Sequence, residues 1–247
     1  MTNEAGHDYE DQSDEDEEID EGLQIWASKP YDHGENVEHM YKEITREIAR
    51  VGAPWVPPDI LDCPIPDYAG DEAMFTVFNP QVFRKPLSHF VFSITNRSRR
   101  EVPEPSPLYS DYLLATYEKI ENPQWYKRLA TSVFPQLVAA LDANRGYLSD
   151  NQVNEEDTDK IHESDERKPA EQILRSVSRI WGANFWSDSL CRSAFGPSAA
   201  DVVKRLKNEV AEARLYRGGA LIISAYEEPT ADEVRALDGR LRPLLVA

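Results

Sequence analysis

The sequence predicts a mainly α, α+β fold: a helical domain with a few short strands and an extended proline-rich centre, behind a disordered acidic tail. Three observations predict it. Apolar residues recur at three-four spacing in five or six segments, the period of a helix with one buried face. Ten of the 17 prolines fall between Pro54 and Pro107, a density that forbids long helices and central strands. Met1 to Gly22 holds eleven acids, no Lys or Arg and almost no apolar residue, so it cannot offset the entropy of ordering.

After the tail, Leu23-Gln24-Ile25-Trp26 is read either as the first docked segment of the fold or as a short linear motif for a partner. Val37, Met40, Tyr41, Ile44 and Ile48 predict a helix over Glu35 to Arg50, closed by Gly52. Within the proline-rich window two strands are expected, at Met74 to Phe78 and Leu87 to Ile94, with His89 as a core histidine in the second. Helices are expected to resume near Ser110 (Leu113, Leu114, Tyr117, Ile120). Another is expected from Asn122-Pro123 through Leu141, kinked or split at Pro135.

Ser149 to Lys168 carries eight acids against three bases and reads as a flexible loop or boundary. Pro169 opens a further expected helix with Ile173, Leu174, Val177, Ile180 and Trp181 inside. Asn184 to Asp188 is expected to break to a turn before a short helix holding Leu190 and Phe195. Ser198 onward reads as an amphipathic helix stopped by Gly218-Gly219. Ala220 to Tyr226 is then the strongest strand candidate, and Thr230 with Glu233 forms a capping box for a last helix bearing Val234, Leu237, Leu241 and Leu244. The organisation is thus tail 1–22, a first part 23–148, loop 149–168 and a C-terminal part 169–247.

The net charge is -18, of which -11 belongs to the tail and -7 to the remaining residues. A field of that sign disfavours non-specific binding of nucleic acid or anionic membrane by the whole body. Two cysteines make no disulfide framework, the acidic start is unlike a signal peptide, and no apolar run is long enough to span a bilayer. These point to a cytoplasmic setting.

Local catalytic signatures are missing. Eleven glycines include no phosphate-binding fingerprint, and no GxSxG elbow, CxxC or HExxH occurs, so no catalytic residue, metal site or cofactor is assigned. Pro66-Asp67 with Glu166-Arg167-Lys168 superficially matches a nuclease pattern but is read as chance. The leading expectation is a non-catalytic interaction protein, an accessory or regulatory subunit of a larger assembly, with Asp14, Glu15, Asp16, Glu17, Glu18 and Trp26 as protein-partner contacts. The alternative is nucleic-acid binding within a nucleoprotein complex, through the polyanion-contacting loop Arg97, Arg99 and Arg100. Lys204, Arg205, Lys207, Arg214 and Arg217 form a second basic face, interleaved with acids as on an ordinary surface helix. A third reading is an enzyme assembled from distant residues, with Asp59, Asp62 and Asp67 near Cys63 and His89.

Overall fold

The undecided Leu23–Trp26 tetrad turns out to lie at the middle of the molecule. In the computed structural model, which describes residues 22–30, 37–62, 74–77, 85–94, 110–122, 124–154, 172 and 174–246, it belongs to strand β1, Gly22–Pro30. Leu23, Ile25 and Ala27 are buried on one side, while Gln24 and Trp26 are half-buried on the other, the two-residue alternation of a strand. β1 pairs antiparallel with β4 (Ser110–Glu118) along all nine residues, and with β5 (Arg145–Asp150) on its other side.

The remaining strands are β2 (Met74–Val77), β3 (Leu87–Ile94), β6 (Ala183–Ser187), β7 (Glu212–Tyr216) and β8 (Gly219–Ile223). All eight form one sheet in the order β2-β3-β4-β1-β5-β6-β8-β7, every neighbouring pair antiparallel. The fold is therefore α+β around a large antiparallel sheet, and the mainly helical expectation is corrected.

The reasons are specific. Ser110–Glu118 was expected to be helical because Leu113, Leu114 and Tyr117 sit at helical spacing. In β4 the same residues divide by parity: Leu113, Ala115 and Tyr117 are buried, and Leu114 and Thr116 are half-buried on the opposite face. Nine residues of backbone pairing on β1 outweigh a helix propensity of a few tenths of a kcal/mol per residue. The helix after Ser198 ends at Leu206, and Glu212–Tyr216 pairs with β8 instead. Arg217 and Gly218 both have positive φ, at 46° and 74°, so they turn a hairpin rather than stop a helix.

The helix expected from Pro169 to Trp181 does not form over 176–181. There the amides of Ile180 and Trp181 donate to the side chains of Asp238 (3.0 Å) and Asn184 (2.9 Å). Asn184 to Ser187, expected as a turn, is part of β6.

Other elements follow the sequence closely. Helix α1 (Val37–Ala49) buries Tyr41, Ile44 and Ile48. Beyond it come α2 (Trp125–Arg128), a π-helical turn at Leu129–Val133 and α3 (Phe134–Leu141), with Pro135 in the first turn of α3. The expected split falls there because Pro135 has no N–H to offer the preceding turn. Helices α4 (Asp188–Phe195), α5 (Ala199–Leu206) and α6 (Ala231–Leu245) complete the chain. Thr230 and Glu233 make both capping-box hydrogen bonds at the start of α6; Leu245 rather than Leu244 takes the last buried position.

Helices α1 to α3 cover one face of the sheet, over a core that includes Ile25, Phe90, Leu113, Phe134, Leu137, Phe185 and Leu221. Helices α4 to α6 cover the other face at β6, β8 and β7, where Trp186, Leu190, Val202, Leu206, Ile222 and Leu241 meet. Over β4, β1 and β5 that second face carries Leu114, Trp26 and Tyr147, all half-buried.

Ile25 is fully buried at the centre of the first core. Ile25→Ala is expected to cost about 2–5 kcal/mol in urea unfolding, against about 1 kcal/mol for Thr230→Ala at the cap of α6. An Ile25→Ala cost no larger than that of Thr230→Ala would remove β1 from the centre of the stability.

Candidate interaction site

Two surfaces are candidates for contact. The first is an aromatic row on the sheet. Trp26 lies opposite Leu114 of β4 and Tyr147 of β5. Its ring stacks on Tyr147 at 5.2 Å between centroids, and Tyr147 stacks on Trp181 at 5.3 Å. The Arg179 guanidinium lies over Trp181 at 5.1 Å, where the ring quadrupole attracts a cation. Asn154 donates to Gln24 at 2.8 Å beside this row. Trp26 is therefore held by strand pairing and ring stacking, as the docked reading of its tetrad requires, with part of its surface still open.

The second surface is a groove of about 610 Å³ lined by Ile120, Trp125, Tyr126, Lys127, Tyr226 and Glu228, among others. Asn122 accepts a hydrogen bond from the Gln124 amide and turns the chain from β4 into α2, which buries Trp125 and Tyr126. Across from it Tyr226 is 39% exposed and donates from its hydroxyl to the Ala211 carbonyl at 3.1 Å. The Lys127 ammonium stands 4.8 Å from the centroid of the Tyr226 ring. Lys119 bridges Glu228 at 2.9 Å and Asp150 at 3.8 Å, tying the groove wall to the ends of β4 and β5.

A second depression, about 390 Å³, lies against the same 120–127 segment and adds Trp55, Arg128, Thr131 and Ser132. Arg128 lies over the Trp55 ring at 5.3 Å. Tyr126 is buried with its hydroxyl close to Gly182, where a Cβ would come within 2.9 Å; glycine at 182 makes room for the phenol. Burial, and secondarily the Glu228 carboxylate, push the Tyr126 phenol above its ordinary range, so it is neutral at any physiological pH.

Chemically the groove offers an apolar floor, an accessible tyrosine and a rim of charges of both signs. Of its carboxylates, Glu228 is salt-bridged to Lys119, and Glu121 and Glu227 are exposed on the rim. Such a floor and rim are the anatomy of a protein-contact surface.

The remaining sequence candidates separate. Asp14, Glu15, Asp16, Glu17 and Glu18, and Arg97, Arg99 and Arg100, lie outside the described residues, as do Cys63 and Asp67. Asp59, Asp62 and His89 are exposed. His89 is thus no core histidine; the irregular register between Leu87 and His89 turns it out of the sheet. The second basic face does not survive as a unit. Arg205 donates to the Leu245 carbonyl at 2.9 Å, Arg214 is held by Glu212 at 2.5 Å, and the residues divide among α5, β7 and the turn after it.

Among the described residues no group of three or more His, Cys, Asp or Glu could hold a metal ion, and no helix is long and apolar enough to cross a membrane. The groove itself escaped sequence reading because its walls are about a hundred positions apart. The usable signals were Asn122-Pro123 and Pro229, two punctuated polar segments that each carry an aromatic neighbour.

No family model matches the chain, and no curated protein matches it in sequence. A Pseudomonas aeruginosa T6SS protein of known structure is similar in fold, with a TM-score of 0.54 at 11% identity, over 91% of this chain and 72% of that one. At that identity the likeness concerns the fold alone.

Cys191 is fully buried, its thiol against the Trp186 carbonyl at 3.7 Å, and burial followed by the nearby Asp188 charge pushes its pKa up to about 12. The unfolded thiol ionises near 9, so the contribution of this group to stability is complete below that pH and is lost as pH rises towards 12. In a Cys63→Ser background Cys191 should react with a thiol reagent at pH 8 no faster than the protein unfolds. Rapid labelling of the native protein would show that the thiol is neither buried nor inert.

Proposed function

We propose that the chain is a non-catalytic interaction protein, an accessory or regulatory subunit of a larger macromolecular assembly, and that the groove between Trp125 and Tyr226 is its main partner contact. The observation that carries this reading is the groove's composition. An exposed tyrosine beneath a lysine, over a floor of Ile120 and Trp125, is the kind of centre on which binding energy concentrates in protein interfaces. The half-open Trp26 row, on the other face of the sheet, offers a second aromatic contact.

Charge supports a basic partner. The whole chain is at -18, and the acidic run Asp14 to Glu18 would add long-range attraction to a positive surface, raising the encounter rate more than the final affinity. The reading calls for no cofactor and goes with a reducing, cytoplasmic setting, on the strength of the two cysteines. The P. aeruginosa T6SS protein that shares the fold makes secretion-system components the first partners to try.

Native co-purification with and without nuclease is the test, using the parent chain, Lys127→Ala/Tyr226→Ala and the distant control Arg192→Ala. A nuclease-resistant protein partner retained by the control and weakened at least tenfold, about 1.4 kcal/mol, by the groove variant is expected. Equal capture by the groove variant would remove the groove from the proposal. Capture abolished by nuclease would replace the reading with nucleic-acid binding.

A further inference from the structure

We propose that β7 is a pairing edge, and that its occupant is the β7 of a second copy of this chain, antiparallel about a two-fold axis through Ala213. Among the described residues β7 ends the sheet and pairs with β8 alone. The phase of its backbone follows from its neighbours. The Ser187 amide donates to the Asn144 carbonyl at 2.8 Å, towards β5, so by alternation Asn184 and Trp186 face β8; their partners Ile222 and Ala220 face β6, and Ile223, Leu221 and Gly219 face β7. The register places those three opposite Glu212, Arg214 and Tyr216. Ala213 and Leu215 therefore direct their N–H and C=O groups away from the sheet.

Edges of this kind are usually blunted by lysine, proline, a bulge or a covering segment. β7 is short and Tyr226 lies against its first end through Ala211, but the strand has neither lysine nor proline, and Leu215 stands on it 56% exposed.

Its charges choose the partner. Glu212 and Arg214 lie two apart on one face of the strand and bind each other at 2.5 Å. With Ala213 opposite Ala213 of the second copy, each Glu212 stands opposite the other chain's Arg214. Four charges of alternating sign then meet in the non-hydrogen-bonded pairs, where side chains approach most closely. The same register lays each Leu215 opposite the other chain's Ala211, whose amide and carbonyl are already bonded to the Ser224 carbonyl and the Tyr226 hydroxyl, so the Ala213 pair carries the backbone bonds of the interface. Centring on Arg214 instead would oppose two guanidinium groups and would require outward backbone groups from a residue that spends them on β8. Backbone phase limits the centre to Ala213 or Leu215, and charge favours Ala213, the centre that sets each Glu212 against an Arg214.

A single short strand pair buries less than the roughly 1,600 Å² of a standard interface, so the dimer should form reversibly with concentration. Sedimentation from low to high micromolar is the experiment, on the parent chain, Glu212→Arg, Arg214→Glu and the double exchange Glu212→Arg/Arg214→Glu. The mass should double with concentration for the parent and for the double exchange. Each single variant should dissociate about tenfold or more readily. An equimolar mixture of the two singles should pair again, because each Arg-bearing edge then meets a Glu-bearing one. Ala213→Pro, which removes an outward N–H without touching the β8 pairing, should stay monomeric with an unchanged circular dichroism spectrum. A parent that remains monomeric throughout, or a dimer indifferent to the single exchanges and to Ala213→Pro, would overturn the proposal.

Discussion

The pairing of β1 on both of its edges is the constraint on which the rest depends. β4 takes one side and β5 the other, and only through β1 do the strands β2-β3-β4 join the strands β5-β6-β8-β7. The two helical layers inherit their places from this join. Helices α1 to α3 close over Ile25, Leu113 and Phe134, while α4 to α6 have their own core against β6, β8 and β7. From Leu23 to Ser28 β1 has a strand on both sides, and α3 packs against its inner face. A strand so enclosed can bear a tryptophan on its outer face, because the backbone beneath the ring has no other conformation to adopt.

Much of the fold was legible wherever one physical signal dominated. The face of α1, the strand at Leu87–Ile94, the break at Pro135 and the box at Thr230 and Glu233 each rest on a local rule that tertiary context leaves intact. Two of the errors share one cause. Ser110–Glu118 and Glu212–Tyr216 hold residues that suit either period, and the choice was made by strands distant in sequence. Gly218 shows the same ambiguity at a single residue: a positive φ suits a helix end or a hairpin turn equally, and only the position of β8 decides. The stretch before Trp181 fails differently, since Asp238 and Asn184 supply side-chain acceptors that a helix would have found in its own backbone.

The candidate site was far less legible. Trp26 could be singled out from its bulk beside a charged run, yet its stacking on Tyr147 and Trp181 spans more than half of the chain. The groove needs the turn at Asn122 and the segment after β8 to meet, and Lys119 fastens them through Glu228. Surfaces for recognition are assembled in this way from pieces that have no motif of their own, whereas phosphate loops and metal knuckles are written in consecutive residues. At the groove the Glu228 carboxylate is salt-bridged to Lys119, and burial raises the phenols of Tyr117 and Tyr126 above their ordinary range.

The central position of β1 also sets an order of events for the nascent chain. Leu23 meets Tyr117 on one side and Asp150 on the other, so the earliest described strand has no partner until β4 has been made and only half its partners until β5 follows. Contacts so distant along the chain must close long loops before they are rewarded, which slows folding relative to proteins built from local pairings. During that interval an apolar strand, bearing Leu23, Ile25 and Trp26, waits with both edges unpaired.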